Sequence, residues 1–340
     1  MISTASQKMP AVPDFGDAGR EFEALLSSCG VYDLPGRAKA SLSGSDRMRW
    51  LNGIVTNNVR DLKPGHGIYA FLLNPQGRIL GDLYAYQRGE SLLVDTDSAQ
   101  FEKTLALFDR YIIMDDVEVS DVTDKFSAVG ITGPKAREIL LEAGFDFPRM
   151  QALEFVEVTW KGVPVTIVRH DNPALESYEL WAAPESVETL LDALKSCGAT
   201  RIGTTALNFL RIAEGIPQYG QDIRERDLPQ ETGQQRALHF TKGCYIGQEI
   251  VERIRSRGNV HRRFTGFLVD GPLPTPGAKI AVAGKEVGEV TSSASLPLSG
   301  GQYSVALGYI RREVPTDKPI QIDGTKLSVT TLPFAGVFKR

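Results

Sequence analysis

The sequence is short of cysteine and histidine, has no long apolar run and carries little charge of one sign, and each shortage excludes something. Three cysteines in 340 residues, Cys29, Cys197 and Cys244, are an odd number and include no Cys-x-x-Cys pair, so they form no closed disulfide set. Four histidines, at positions 66, 170, 239 and 261, show no ligand spacing. A built-in zinc site, or a cluster held by this chain alone, is therefore not expected, and no metal ligand is assigned. Free thiols fit a reducing compartment. No apolar run approaches the ~20 residues that cross a bilayer. Met1 to Gly19 lacks the apolar region of a signal peptide and the Arg-rich amphipathic character of a transit peptide. The cytoplasm is the expected location. A formal net charge of -4 argues against coating a nucleic-acid backbone; neither a membrane nor a stable nucleic-acid partner is expected.

What is there is ordinary globular material: 42% hydrophobic and 24% charged residues, enough for two or three cored domains. Residues 1–20 read as a flexible tail, with a helix from Asp17 to Ser28. Ser45 is placed to cap a helix whose apolar positions are Met48, Leu51 and Val55. Strands follow at Gly67–Leu73, Arg78–Gln87 and Ser91–Asp95, the first two joined by Asn74-Pro75-Gln76-Gly77. Proline presets φ at the second position of that turn and glycine accepts its unusual dihedrals. Ser98–Arg110 has helical periodicity, and Leu153–Trp160 with Val163–His170 reads as a hairpin across Lys161-Gly162. Tyr178–Ala182 is a strand and Glu185–Cys197 a helix. Strands and helices mix without regular βαβ alternation, which predicts an α+β fold. From about residue 260 short β-type runs alternate with Gly/Pro turns, the texture of a small β-barrel or sandwich. The expected division is a tail (1–20), an α+β region (21–258) and a C-terminal β-barrel domain (259–340).

Chemistry concentrates in Lys242-Gly243-Cys244-Tyr245-Ile246-Gly247-Gln248-Glu249, which leads into Ile250-Val251-Glu252-Arg253-Ile254. Ile246, Ile250 and Ile254 share one helical face, which places Cys244 at or just before a helix N-terminus with Lys242 two residues away. Both neighbours favour thiolate over thiol. Two readings stand side by side: a reactive cysteine, or a small buried hydrophobe. Arg253, Arg255, Arg257, His261, Arg262 and Arg263 form a basic cluster, suited to an acidic partner or tail, or simply a solvated face.

The eight-residue segment resembles the identifying motif of the YgfZ-type folate-binding proteins and matches every fixed position. Leu210-Arg211-Ile212-Ala213-Glu214-Gly215-Ile216-Pro217, Arg253, Arg257-Gly258, and Ser43 through Asn57 are similar to further stretches of that family. The YgfZ family is related to the T-protein of glycine cleavage (GcvT), an aminomethyltransferase. The resemblance implies two interlocked α+β subdomains and a C-terminal β-barrel around a central folate hole. It also implies tetrahydrofolate, or a folate derivative, as cofactor. On matching positions, Glu179 falls where the T-protein has a glutamate facing the pterin. Two hydrogen bonds from the pterin's amino and ring N–H groups would suit a carboxylate. Arg211 falls near the folate, or pairs with Glu214 at helical spacing. Arg37 and Leu207 fall near folate-lining positions, and the resemblance implies folate binding for Asp82 as well. Lys242, Gly243, Tyr245, Gly247, Gln248, Glu249 and Arg253 support Cys244 as the catalytic residue.

One departure matters. The T-protein has two adjacent aspartates in this region, the first of them catalytic, whereas here the stretch reads Leu80-Gly81-Asp82. Glycine can neither orient nor exchange a proton, so full aminomethyltransferase activity is not expected. The resemblance implies an accessory protein for assembly or repair of iron–sulfur enzymes, with those enzymes or cluster-assembly proteins as partners. The alternatives are an aminomethyltransferase of glycine or sarcosine catabolism, and a folate-binding module without chemistry.

Overall fold

Apolar alternation along the chain becomes three sheets in the computed structural model, which describes residues 12–258, 260–314, 320–322 and 324–338. The first elements are α1 (Ala18–Ser27), β1 (Gly30–Asp33), β2 (Arg37–Ser43), α2 (Arg47–Ile54), β3 (Gly67–Leu73), β4 (Ile79–Gln87), β5 (Leu92–Asp97), α3 (Ser98–Tyr111) and β6 (Glu118–Asp121). Next come β7 (Ser127–Thr132), α4 (Ala136–Glu142), β8 (Phe155–Trp160), β9 (Val163–Arg169), β10 (Ser177–Ala182), α5 (Val187–Ser196), β11 (Thr200–Arg201), α6 (Thr204–Glu214) and α7 (Gln248–Arg257). The chain ends with β12 (Arg262–Asp270), β13 (Lys279–Val282), β14 (Lys285–Leu298), β15 (Gly301–Arg311), β16 (Ile320–Ile322), β17 (Thr325–Thr330) and α8 (Ala335–Phe338). One sheet runs β11-β1-β7-β10-β9-β8, a second β3-β4-β5-β2-β6, and β12-β15-β14-β13-β16-β17 close into a barrel.

Two compact units result: Met1–Leu51, Val59–Ile68 and Leu83–Leu207 form the first, and Asn52–Asn58, Tyr69–Asp82 and Asn208–Arg340 the second. The cut differs from the linear division expected at residue 258, because residues 52–58, 69–82 and 208–258 group with the barrel. Of the expected tail, residues 1–11 lie outside the described residues. Residues 12–17 are tied down: the Val12 and Pro13 carbonyls accept from the backbone N–H groups of Thr204 and Thr205. Asp17 caps α1 by accepting from the N–H groups of Gly19 and Arg20. Ser45 does not cap α2; its hydroxyl donates instead to the Asp116 carboxylate at 2.8 Å. An ionised acceptor draws a hydroxyl more strongly than a helix amide presents a donor to it.

In the first unit β10 is an interior strand and all six of its residues are buried. Tyr178, Leu180 and Ala182 join the core formed with Ile139 and Leu140 of α4 and Leu190, Leu191 and Leu194 of α5. Strand alternation therefore turns Ser177, Glu179 and Trp181 to the opposite face. A buried carboxylate there requires partners, since burying one alone costs several kcal/mol.

The barrel removes free strand edges by closing on itself, around Phe267, Ile280, Val290, Ala306 and Ile310. Glu289 on β14 fastens it to the segment before α7. Its carboxylate accepts from Arg224, from Arg226 at 2.5 Å and from Lys279 at 3.1 Å. Burial alone would raise this carboxyl, but the three cations hold it at about 2, below its ordinary 4.5. A depressed carboxyl stabilises the fold above its ordinary value and loses that contribution as pH falls through the folded one. Glu289→Gln is expected to remove about 1–2 kcal/mol of stability at neutral pH, after allowance for solvent screening. Between pH 4.5 and 2 the variant should also lose the wild-type decline that Glu289 contributes. Urea unfolding at a series of pH values measures both.

Candidate functional site

The first unit gathers its charged side chains around β10. Glu179 is 8% exposed. One of its oxygens accepts from the Trp181 indole N–H at 2.8 Å, and the other lies 3.9 Å from His170 Nε2. Trp181 stands two residues along the same strand, so both side chains share a face. On β2, Arg37 and Lys39 are likewise two apart, and Lys39 lies directly opposite Asp95 of β5. The Asp95 carboxylate accepts from Arg37 Nη2 and from Lys39 Nζ, both at 2.9 Å. Burial would raise Asp95, but Arg37 and then Lys39 hold its carboxyl below the ordinary value. Lys39 Nζ also stands 4.1 Å over the Trp181 ring, and Tyr86 meets that indole edge-on at 5.0 Å. The cluster holds two cations and two carboxylates.

Of the residues expected at the folate, Glu179 and Arg37 thus belong to one cluster. Leu207, half-buried on α6, can offer only apolar surface. Sequence reasoning missed Lys39, Asp95 and Trp181. For Lys39 and Asp95 the signal is a charged residue inside an apolar strand, which a buried strand tolerates only when it is paired; Trp181 carries no such signal.

Cys244 belongs to the second unit. Burial pushes the Cys29 thiol up to about 12, and Cys197 is half-buried, but Cys244 is exposed. It is therefore not a small buried hydrophobe. Its helical setting also differs from expectation. α7 begins at Gln248 behind Gly247, whose φ is 81°, so Cys244 lies four residues before the first helical residue. The helix dipole, which fades within one turn, does not act on it directly. Nor is the Lys242 ammonium turned to the thiol. Lys242 is 5% exposed; its Nζ donates to the carbonyls of Asn52 and Val55, the latter at 2.9 Å, and lies 4.8 Å over the Tyr245 ring. Ile246 N–H donates to the Gly53 carbonyl at 3.2 Å. The loop is thus fastened to residues 52–55 on both sides of Cys244, with the thiol outward. Gly243, at φ 95°, has nothing within 4 Å of where a Cβ would stand, so the backbone beside the thiol is open to an approaching group. Gly247 is the opposite case: a Cβ there would come 2.7 Å from the Asn74 carbonyl oxygen. Gln248 closes the loop by accepting from Tyr245 N–H at 3.2 Å. Glu249 and Arg253 are exposed on α7.

The Tyr245 hydroxyl is buried and finds no hydrogen-bond partner among the described residues. Burial, and then the Glu252 carboxylate, pushes its phenol up to about 12. An orphaned buried hydroxyl costs stability, so Tyr245→Phe is expected to leave thermal stability unchanged or raise it by about 0–1 kcal/mol. A loss above about 1 kcal/mol in denaturant titration would mean that the hydroxyl is satisfied in solution.

Arg211 differs most from its expected role. All five of its N–H donors are spent within the second unit, on Asn208, the Ile216 carbonyl, Asp222 at 2.6 Å and Ser292. Its ion-pair partner is Asp222, not Glu214. No donor remains for a ligand, and the arginine ties α6 to the barrel strand β14. Asp82 accepts from the Tyr69 hydroxyl at 2.6 Å. The basic cluster is not one free patch: Arg262 pairs with Asp227 and Glu231, and Arg255 lies over Phe240. The side chain of Arg257 is outside the described residues.

With this geometry in place, comparison with known proteins sets the family. The GCVT N-terminal domain matches residues 5–242. The chain belongs to the GCVT family. Its last part, residues 261–335, matches the CAF17 C-terminal beta-barrel domain. An aminomethyltransferase of Rubrobacter xylanophilus is 29% identical over 317 residues, 92% of this chain and 84% of that one. Another, from Nostoc sp., is 28% identical over 333 residues, 95% and 87% of the two chains. The crystal structure of glycine cleavage system aminomethyltransferase T from Bartonella henselae superposes with a TM-score of 0.85. It covers 95% of this chain and 91% of that one at 20% identity, a likeness of fold. The mixed α/β architecture with a closed six-stranded barrel is thus a GCVT-like fold. This GCVT chain has Gly81 buried on β4 beside Asp82, so no carboxylate stands at the position before Asp82. No helix among the described residues is long and apolar enough to cross a membrane.

Proposed function

We propose that this GCVT-family chain is a cytoplasmic, tetrahydrofolate-binding accessory protein of YgfZ type that supports assembly or repair of iron–sulfur enzymes. The observation that carries the reading is the exposed Cys244 on a loop anchored at Lys242 and Ile246, within an eight-residue motif similar to that of the YgfZ proteins. A thiol held outward beside an open glycine backbone suits transient exchange with a partner protein. The CAF17-type barrel is in keeping with this.

Folate recognition is assigned to Glu179. An ionised carboxylate offers about four acceptor sites, and Trp181 occupies one. Sites remain on both oxygens for the paired N–H groups of a pterin. Arg37 supports this pocket through Asp95, and Leu207 offers it apolar surface. Asp82 and Arg211 serve the second unit's own structure.

A second reading, an aminomethyltransferase, is favoured by the names of the relatives at 28–29% identity. Gly81 opposes it, because the place of a proton-handling carboxylate holds no side chain. Calorimetric titration with 5-formyltetrahydrofolate, a stable reduced folate, tests the proposal. Wild type is expected to bind and Glu179→Ala to bind at least tenfold more weakly. No binding by folded wild type overturns the folate assignment. Aminomethyl transfer at ordinary enzymatic rates would favour the second reading.

A further inference from the structure

The buried ammonium of Lys39 is hard to account for as a source of stability. Lys39 is 2% exposed. Asp95 is already met by Arg37 through both Nε and Nη2. A second buried cation on that carboxylate adds a desolvation cost that an apolar side chain of similar length would avoid. What Lys39 adds is its position. Nζ lies 2.9 Å from Asp95 Oδ1 on one side and 4.1 Å from the centre of the Trp181 ring on the other. The indole is further fixed by Tyr86, edge-on at 5.0 Å. Its N–H donates to Glu179 Oε2. A cation over an indole face draws electron density from the ring and makes the N–H a stronger donor.

We propose that Lys39 and Asp95 are positioning residues for pterin recognition, acting through Trp181 to fix the rotamer of Glu179 and the direction of its free acceptor sites. The inference rests on the folate assignment of Glu179 made above. A carboxylate on three rotatable bonds that is held by one indole N–H and backed by a rigid aromatic can meet two N–H groups at once. The same carboxylate released from the indole meets them only part of the time. The pathway runs Asp95, Lys39, Trp181, Glu179, and the first two touch no ligand.

The test compares two probes, 5-formyltetrahydrofolate and its analogue lacking the pterin 2-amino group, on the full chain by calorimetry. Wild type is expected to prefer the parent compound by tenfold or more. In Lys39→Met the parent's Kd should rise to within threefold of the analogue's, while the analogue's own Kd changes less than twofold. General damage to the pocket would weaken both compounds together and would overturn the inference. So would a Lys39→Met protein that keeps the wild-type preference. If Lys39→Met does not fold, as judged by near-ultraviolet circular dichroism, Trp181→Phe removes the N–H while keeping an aromatic, and the same collapse of preference is required of it. A wild type that binds neither probe sinks the folate assignment itself. A wild type that binds both equally sinks the 2-amino contact of Glu179. Both results differ from a preference that survives in the variants.

Discussion

Asp222→Ala is expected to be the most destabilising single change in the second unit, at about 3–5 kcal/mol. The Asp222 carboxylate is fully buried. It accepts from Arg211 Nη1 at 2.6 Å, from the hydroxyls of Thr291 and Ser292, and from the backbone N–H of Gln218 at 3.0 Å. Removing it strands a guanidinium that is mostly buried and takes the acceptor from the Ser292 hydroxyl and the Gln218 amide, leaving Thr291 only its longer bond to the Leu307 carbonyl at 3.3 Å. Asp222→Asn keeps the shape but gives up the charge, and should fall between alanine and wild type. Hydrogen exchange locates the effect: protection is expected to drop in α6 and β14 and to hold in β10. A loss below about 1 kcal/mol would show that Arg211 finds equivalent partners without Asp222.

Lys242→Met is expected to cost about 2–4 kcal/mol and to free the cysteine loop. The ammonium serves two carbonyls, of Asn52 and Val55, where α2 ends at Ile54. A cation there meets carbonyls at the negative end of the helix. Methionine fills the space but donates nothing, so those carbonyls lose their partner in a buried setting. The side chain's distance from any thiol role makes a second expectation. Lys242→Met should increase the rate of Cys244 alkylation through mobility of the loop, whereas a lysine that activated the thiol directly would slow alkylation when removed. Reaction with a maleimide, followed by mass spectrometry at fixed pH, decides the direction.

How far the sequence reveals this molecule depends on the range of the interactions. Local signals were legible. The Asn74–Gly77 turn closes as written, with Gly77 at φ 72°, and the hairpin across Lys161-Gly162 pairs Trp160 with Val163. The change of texture near residue 260 corresponds to a barrel whose first strand starts at Arg262. The cysteine loop was found by its motif, but its setting was not. Periodicity from Ile246 onward started the helix too early, because Gly247 in the left-handed region breaks the pattern after one position. The partners of Lys242, 187 and 190 positions away in the chain, cannot be read from spacing. Arg211 illustrates the same limit. Helical spacing points to Glu214, whereas a loop residue eleven positions on, Asp222, supplies the carboxylate that Arg211 meets at 2.6 Å. Around Glu179 the sequence singles out one carboxylate but not the cation, indole and second carboxylate clustered with it. Those three sit on β2, β10 and β5 and meet only once the strands are assembled.

The most direct measurement of the central claim is rescue of an iron–sulfur enzyme's activity in cells lacking the endogenous protein. Wild type and Cys244→Ala would be compared at matched levels of folded protein. Because Cys244 is exposed, the substitution is expected to leave stability within about 0.5 kcal/mol of wild type, so a functional loss would not reflect unfolding. The predicted result is full rescue by wild type and failure of Cys244→Ala. Equal rescue by both would contradict the proposed role of Cys244 and make its thiol a bystander.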